Sequence, residues 1–108
     1  QAYDLIFFNP PYVPTREGRQ LKLTERMCAD SDRVWDGGED GTRVLRDFLR
    51  DAPKYLSPRG RLLFGVQSMF VSDASILEAI EACGLCMQER FTRCCIPSVV
   101  YILEHERR

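Results

Sequence analysis

No apolar run in the sequence approaches the roughly 18–20 residues that a bilayer-crossing helix needs, so no such helix organises the chain. Charge of one sign is also missing. The net charge is −1 with 29% charged residues, so composition writes in no general attraction to nucleic acid or an anionic membrane. Histidine occurs once, as His105, and reads as a solvated side chain in a charged terminal stretch, Glu104 to Arg108, rather than as a general base. Neither an internal repeat nor a low-complexity tract is visible. No secretory leader is recognisable, and Gln1 opens the chain almost inside a strand, which reads as a cut edge. The five cysteines, Cys28, Cys83, Cys86, Cys94 and Cys95, form an odd set without a disulfide framework. That favours reduced thiols and a cytoplasmic location. Cys83, Cys86, Cys94 and Cys95 can be drawn as a four-thiolate zinc site. Adjacent cysteines point apart on a strand, however. Small apolar side chains plus an exposed thiol are the simpler reading, and no metal site is assigned.

What remains is an ordinary globular composition, 44% hydrophobic over 108 residues, enough for one domain spanning 1–108. Leu5 to Phe8 is a near-continuous apolar run, the pattern of a strand covered on both faces. It stops at Asn9-Pro10-Pro11-Tyr12, where two prolines remove backbone donors and end any strand. The polar stretch from Val13 to Asp36 predicts a long, partly mobile loop with a helical turn near Leu23 to Met27, and a loop of that length implies a job such as covering a site. Trp35 to Gly41, "WDGGEDG", predicts a tight acidic turn feeding a helix from Gly41 or Thr42, with Trp35 pinning the loop to the core. Val44, Leu45, Phe48, Leu49, Ala52 and Leu56 recur at helical spacing, and Pro53 ends the pattern. Arg43, Arg46 and Arg50 read as a solvated face paired with Asp47 and Asp51, with RNA contact as the alternative. Ser57-Pro58-Arg59-Gly60 predicts a turn, and Arg61 to Val66 a second buried strand. Ser72 or Asp73 caps a helix with apolar face Ile76, Leu77, Ile80 and Cys83, stopped by Gly84. Residues 85–93 and the stretch from Ser98 predict two antiparallel strands.

Strands alternating with helices imply a parallel sheet, and a final hairpin adds one strand of opposite direction. Such sheets hold ligands beyond the carboxyl ends of their strands, where Asn9 to Tyr12 lie. Asn9 offers an amide, the prolines fix the Asn9 and Pro10 carbonyls, and Tyr12 supplies a flat wall with a polar tip. This set suits a planar acceptor carrying an NH2 group. Accepting both N–H bonds would aim its delocalised lone pair at an electrophile, by positioning and electrostatics alone. A proline turn that only ends a strand is the bland alternative.

"DLIFF" followed by Asn9-Pro10-Pro11-Tyr12 resembles motif IV of class I S-adenosylmethionine-dependent methyltransferases that act on planar nitrogen. With "WDGGEDG" and "LRDFLRDAPKYLSPRGRLLF", the chain resembles the HemK-type protein-(glutamine-N5) methyltransferases, especially their HemK2-like branch. The resemblance implies an α/β fold, the C-terminal half of a Rossmann-like seven-stranded sheet: strand four, helix, strand five, helix, strands six and seven, the last antiparallel. It implies S-adenosyl-L-methionine as cofactor. Asn9, Pro10 and Tyr12 would be catalytic, Asn9, Pro10, Pro11 and Tyr12 would bind substrate, and Asn9 would also touch the cofactor. The implied partners are a protein substrate such as a translation release factor and a small zinc-containing activator subunit. Neither the Gly-rich turn after a first strand nor the acid after a second is present, so the N-terminal cofactor-binding half is expected to be absent. Gly65-Val66-Gln67-Ser68 also replaces the acid and Gly of many bacterial relatives, which weakens glutamine against other amines. The rival readings are an adenine-N6 methyltransferase of DNA or RNA, and a non-catalytic half-domain that completes another chain.

Overall fold

The computed structural model describes residues 2–106. Gln1 and the last two residues of the terminal stretch, Arg107 and Arg108, lie outside the described residues. Strands β1 (Tyr3–Phe8), β4 (Leu56–Gln67), β5 (Cys86–Arg93) and β6 (Ile96–Glu104) form a four-stranded sheet in the order β1-β4-β6-β5. β1 and β4 are parallel, while β6 runs antiparallel to both β4 and β5. This is an α/β fold with a mixed sheet, and one strand opposes the rest as the sequence implied.

Two helices supply the cover. Helix α3 (Arg43–Asp51) follows Thr42, whose backbone N–H and hydroxyl both donate to Asp40 Oδ1 at 2.9 and 2.7 Å. It passes at Ala52 into a 3-10 turn, Ala52–Tyr55, that accommodates Pro53. Helix α4 (Asp73–Cys83) is capped by Ser72, whose hydroxyl accepts from Ser75 N–H at 3.2 Å. It ends at Gly84 with φ 82°, a backbone state glycine adopts without cost. Leu45 and Leu49 from α3 and Ile76, Ala79 and Ile80 from α4 meet Leu62, Phe64, Val66, Val99, Tyr101 and Leu103 in one core. Phe64 stacks on Tyr101 at 5.1 Å between centroids. Leu77 turns outward, and Ala79 rather than Leu77 joins Ile76 and Ile80 on the buried face.

Several expectations are corrected. β1 is not covered on both faces. Among the described residues it is an edge strand paired with β4 alone, and Leu5 and Phe7 are 63% and 73% exposed. Only Ile6 and Phe8 reach the core, Phe8 against Phe48 at 4.3 Å. Ser57 to Gly60 is a bulged stretch within β4 rather than a turn, since the register jumps from Tyr3↔Leu56 to Leu5↔Arg61. Ser57 Oγ donates to Asp4 Oδ1 there at 2.7 Å.

The stretch between Val13 and Asp36 is folded. It holds β2 (Val13–Pro14), α1 (Thr15–Gln20), α2 (Leu23–Arg26) and a 3-10 turn, and β3 (Asp36–Gly38) pairs in parallel with β2. The expected helical turn near Leu23 is α2. The terminal stretch is partly built in: Glu104 pairs with Arg61 at 3.3 Å, and His105 Nε2 lies 3.0 Å from the Leu56 carbonyl oxygen. His105 is therefore half-buried against β4 rather than solvated.

Candidate functional site

The Asn-Pro-Pro-Tyr turn leaves the carboxyl end of β1 beside the corresponding end of β4. Asn9 and Tyr12 line one cavity of about 220 Å³ together with Gly65, Val66, Gln67, Ser98, Val99 and Val100. Asn9 is exposed, and its amide has no protein partner among the described residues. Tyr12 is half-buried, its ring 6.2 Å from that of Phe70. Pro10 is buried, and Pro11 lines a second cavity of about 540 Å³ with Asp32, Arg33, Asp36, Arg43 and neighbouring residues. The four positions of the motif are thus divided. Asn9 and Tyr12 face the first cavity, Pro11 the second, and Pro10 fills the space beneath the turn.

The acidic glycine turn fixes this arrangement from behind. A Cβ on Gly41 would lie 2.4 Å from the Tyr12 carbonyl oxygen, and one on Gly37 would lie 2.8 Å from that of Pro11. Gly41 also has φ 84°, so two independent constraints require glycine there. Val13 N–H donates to the Trp35 carbonyl at 3.0 Å, which pairs the chain after Tyr12 with the start of this turn.

The acids of the turn hold the turn itself. Asp36 Oδ1 accepts from Gly38 N–H at 2.9 Å and from Thr15 Oγ1. Desolvation opposes its charge, but those bonds together with Arg43 and Arg19 outweigh it and lower its pKa. Asp40 behaves alike: burial works against its charge, and the Thr42 bonds and Arg46 still lower its pKa. Trp35 is buried over Gly18, with Nε1–H donating to Thr24 Oγ1 at 2.9 Å. It pins α1 and α2 to the turn, within a small cluster of their own.

Gln67 and Ser98 were not assigned to the site from sequence. They enter it because β4 and β6 pair them, with Gln67 Nε2–H donating to Ser98 Oγ at 3.1 Å. Pairing a strand end with a hairpin strand was the signal available, but the register was not. The arginines of α3 are partnered differently from expectation. Arg50 pairs with Asp47 at 3.0 Å, but Arg46 reaches Glu78 at 3.7 Å and Asp51 takes Lys54 at 3.4 Å. The cysteines drawn as a zinc site do not converge, and the described residues gather no three metal-type side chains in one place.

No protein-family model matches the chain. Relatives are nonetheless clear. The chain is 48% identical over 61 residues to a ribosomal protein uL3 glutamine methyltransferase of Bradyrhizobium diazoefficiens, a match covering 56% of this chain and 18% of that protein. It is 30% identical over 82 residues to a putative protein N5-glutamine methyltransferase of Methanocaldococcus jannaschii, covering 76% and 38%. A release factor glutamine methyltransferase of Geobacter sulfurreducens shares 40% over 63 residues, covering 58% and 22%. An α/β sheet with this turn at a strand's carboxyl end, and relatives of this kind, make the chain a methyltransferase relative. Within that class its likeness is to the HemK-type protein-glutamine methyltransferases, of which it matches a part: the matches span between 18% and 38% of these relatives' length.

Proposed function

We propose that this chain forms the acceptor-binding part of an S-adenosylmethionine-dependent methyltransferase whose acceptor is the side-chain amide nitrogen of a protein glutamine. The observation that carries this reading is the unpartnered Asn9 amide beside Tyr12, in a cavity at the carboxyl end of β1. Asn9 Oδ1 and the Pro10 carbonyl accept the acceptor's two N–H groups, and the ring of Tyr12 lies along its planar amide. Both N–H bonds then strengthen as the nitrogen gains positive charge during transfer, so the turn favours the transition state over the bound substrate. The cofactor supplies a methyl group on a sulfonium. A translation protein, a release factor or ribosomal protein, is the substrate class named for the relatives.

The residues present do not enclose that cofactor. A cavity of about 220 Å³ is smaller than the roughly 300–1,000 Å³ of ordinary ligand pockets. Its polar side chains, Asn9, Tyr12, Gln67 and Ser98, include no acid for a ribose. The remaining contacts are assigned to a segment that pairs with the free side of β1, continuing the sheet toward seven strands. An element of that segment packing on the outer face of the extended sheet would then cover Leu5 and Phe7. The same exposed edge favours a second reading, in which a separate chain occupies it and this one serves as a non-catalytic half.

The test is Asn9→Ala in the longer protein, with a peptide carrying the acceptor glutamine and mass-spectrometric detection of the added methyl group. Turnover is expected to fall about a hundred- to a thousand-fold, with cofactor affinity by calorimetry nearly unchanged. Unchanged turnover removes Asn9 from the mechanism, and methylation of an adenine oligonucleotide in place of the peptide would favour the nucleic-acid rival.

A further inference from the structure

Cys94 and Cys95 are the two residues between β5 and β6, so they form the whole turn of the terminal hairpin, closed by the Arg93↔Ile96 pair. Both are exposed, and their sulfur atoms lie 3.5 Å apart. Cys95 has φ 66°, the left-handed state in which tight hairpins ordinarily use Gly or Asn. Cys28 shares the left-handed backbone state, at φ 53°, but the other thiols are not paired. Cys28 and Cys86 are exposed but belong to no such sulfur pair, and Cys83 is half-buried with its thiol hydrogen directed to the Ile80 carbonyl at 3.0 Å.

We propose that Cys94 and Cys95 are a vicinal dithiol that a hydroperoxide oxidises to a reversible disulfide. One thiolate attacks the peroxide O–O bond, forms an S–O bond and expels hydroxide, giving a sulfenic acid. The neighbouring thiol attacks that sulfur, forms the S–S bond and displaces the oxygen, which leaves as water. The two thiols together lose two electrons and two protons, and the peroxide becomes two water molecules (or water and an alcohol). The resolving thiol is already in contact, so closure outruns further oxidation of the sulfenic acid. Adjacent Cα atoms are about 3.8 Å apart, closer than the roughly 4.4–6.8 Å that relaxed disulfides span. The bond is therefore easily reduced, as a reversible site requires.

Trypsin isolates the pair, because cleavage after Arg93 places Cys94 and Cys95 alone in the terminal peptide while Cys28, Cys83 and Cys86 fall in others. The reduced chain is titrated with hydrogen peroxide, quenched with iodoacetamide, digested and weighed. The expected result is a terminal peptide that escapes alkylation and is lighter by two hydrogen atoms, at peroxide levels where the Cys28 peptide remains alkylated. Dithiothreitol should restore it. Cys95→Gly, which relaxes the turn, should abolish the lighter species and accumulate oxygen adducts on Cys94. Double alkylation of the terminal peptide at levels that already oxidise Cys28 overturns the proposal. So does the appearance of oxygen adducts or linked dimers without the lighter peptide.

Discussion

The two faces of the sheet are built from alternate residues of the same strands, yet they differ in every physical respect. Under α3 and α4, Leu62, Phe64, Tyr101 and Leu103 are each at most 1% exposed. On the opposite face, Leu5 and Phe7 of β1, Phe91 of β5 and Val100 of β6 stand in solvent, Phe7 at 73% exposure. The helices stabilise one surface; on the other, Ile102 is buried and Leu63 half-buried by their neighbours, while Leu5, Phe7, Phe91 and Val100 stay open. Apolar residues on both faces of β1 therefore record an environment that the described part of the chain supplies on one side only. This contrast separates what holds the described residues together from what they leave bare.

The largest effect should come from breaking the covered face. Phe64→Ala removes a ring stacked on Tyr101 in the centre of the core. The cost should be about 3–5 kcal/mol, a large share of a small domain's roughly 5–15 kcal/mol. Urea unfolding followed by circular dichroism measures it. Next comes the turn that braces the candidate site. Gly41→Val forces a branched residue to φ 84° and drives its Cβ toward the Tyr12 carbonyl. About 1–3 kcal/mol of strain is expected, read as a lowered Tm. Under the proposed function, displacement of Tyr12 should reduce methyl transfer as well.

Much of this architecture was legible beforehand because its signals are local. Ser72 and Gly84 bracket α4, Pro53 ends α3, and Asn9 to Tyr12 stop β1 where the sequence said they would. What was missed depends on contacts distant in sequence. Trp35 was expected to pin the stretch before it to the core, but the order between Val13 and Asp36 rests on its packing over Gly18, outside the main core, and no periodicity announces that partner. Gln67 and Ser98 share a cavity with Asn9 only through the β4–β6 register. The apolar run Leu5 to Phe8 reads as a strand built for cover on both sides that wants a neighbour this chain does not provide, and Leu5 and Phe7 are indeed bare here, since a run cannot say where its cover comes from.

A smaller effect lies where β5 and β6 tie to the start of α4. Tyr101 O–H donates to Asp73 Oδ1 at 2.5 Å, and Arg90 pairs with the other carboxylate oxygen at 2.7 Å. The Tyr101 bond, against some desolvation and helped by Arg90, lowers the pKa of Asp73. Desolvation and the Asp73 carboxylate raise that of Tyr101. A carboxyl whose folded pKa is depressed contributes stability above its unfolded value, about 3.9, and loses it as pH falls through the folded value. Tyr101→Phe should therefore cost about 1 kcal/mol at neutral pH, less than a buried pair would because Asp73 is partly exposed. The difference from the native chain should shrink below about pH 4, measured by urea unfolding across that range.

The smallest effect in this chain should be the most informative in a longer one. Phe7→Ser changes the outer face of an edge strand, where the ring is 73% exposed, Leu5 two residues along is also open, and the cross-strand partner Leu63 is half-buried. Surface substitutions of this kind stay within about 0.5 kcal/mol, so urea unfolding of the chain itself should scarcely move. If a segment of the longer protein pairs with β1 and covers that face, the same ring becomes a core residue there, and its loss should cost about 3–5 kcal/mol. Measured side by side, the two proteins turn one substitution into a reading of where the sheet continues. A near-zero cost in both would leave that face of β1 bare in the longer protein too, and the cover proposed for it would have to be abandoned.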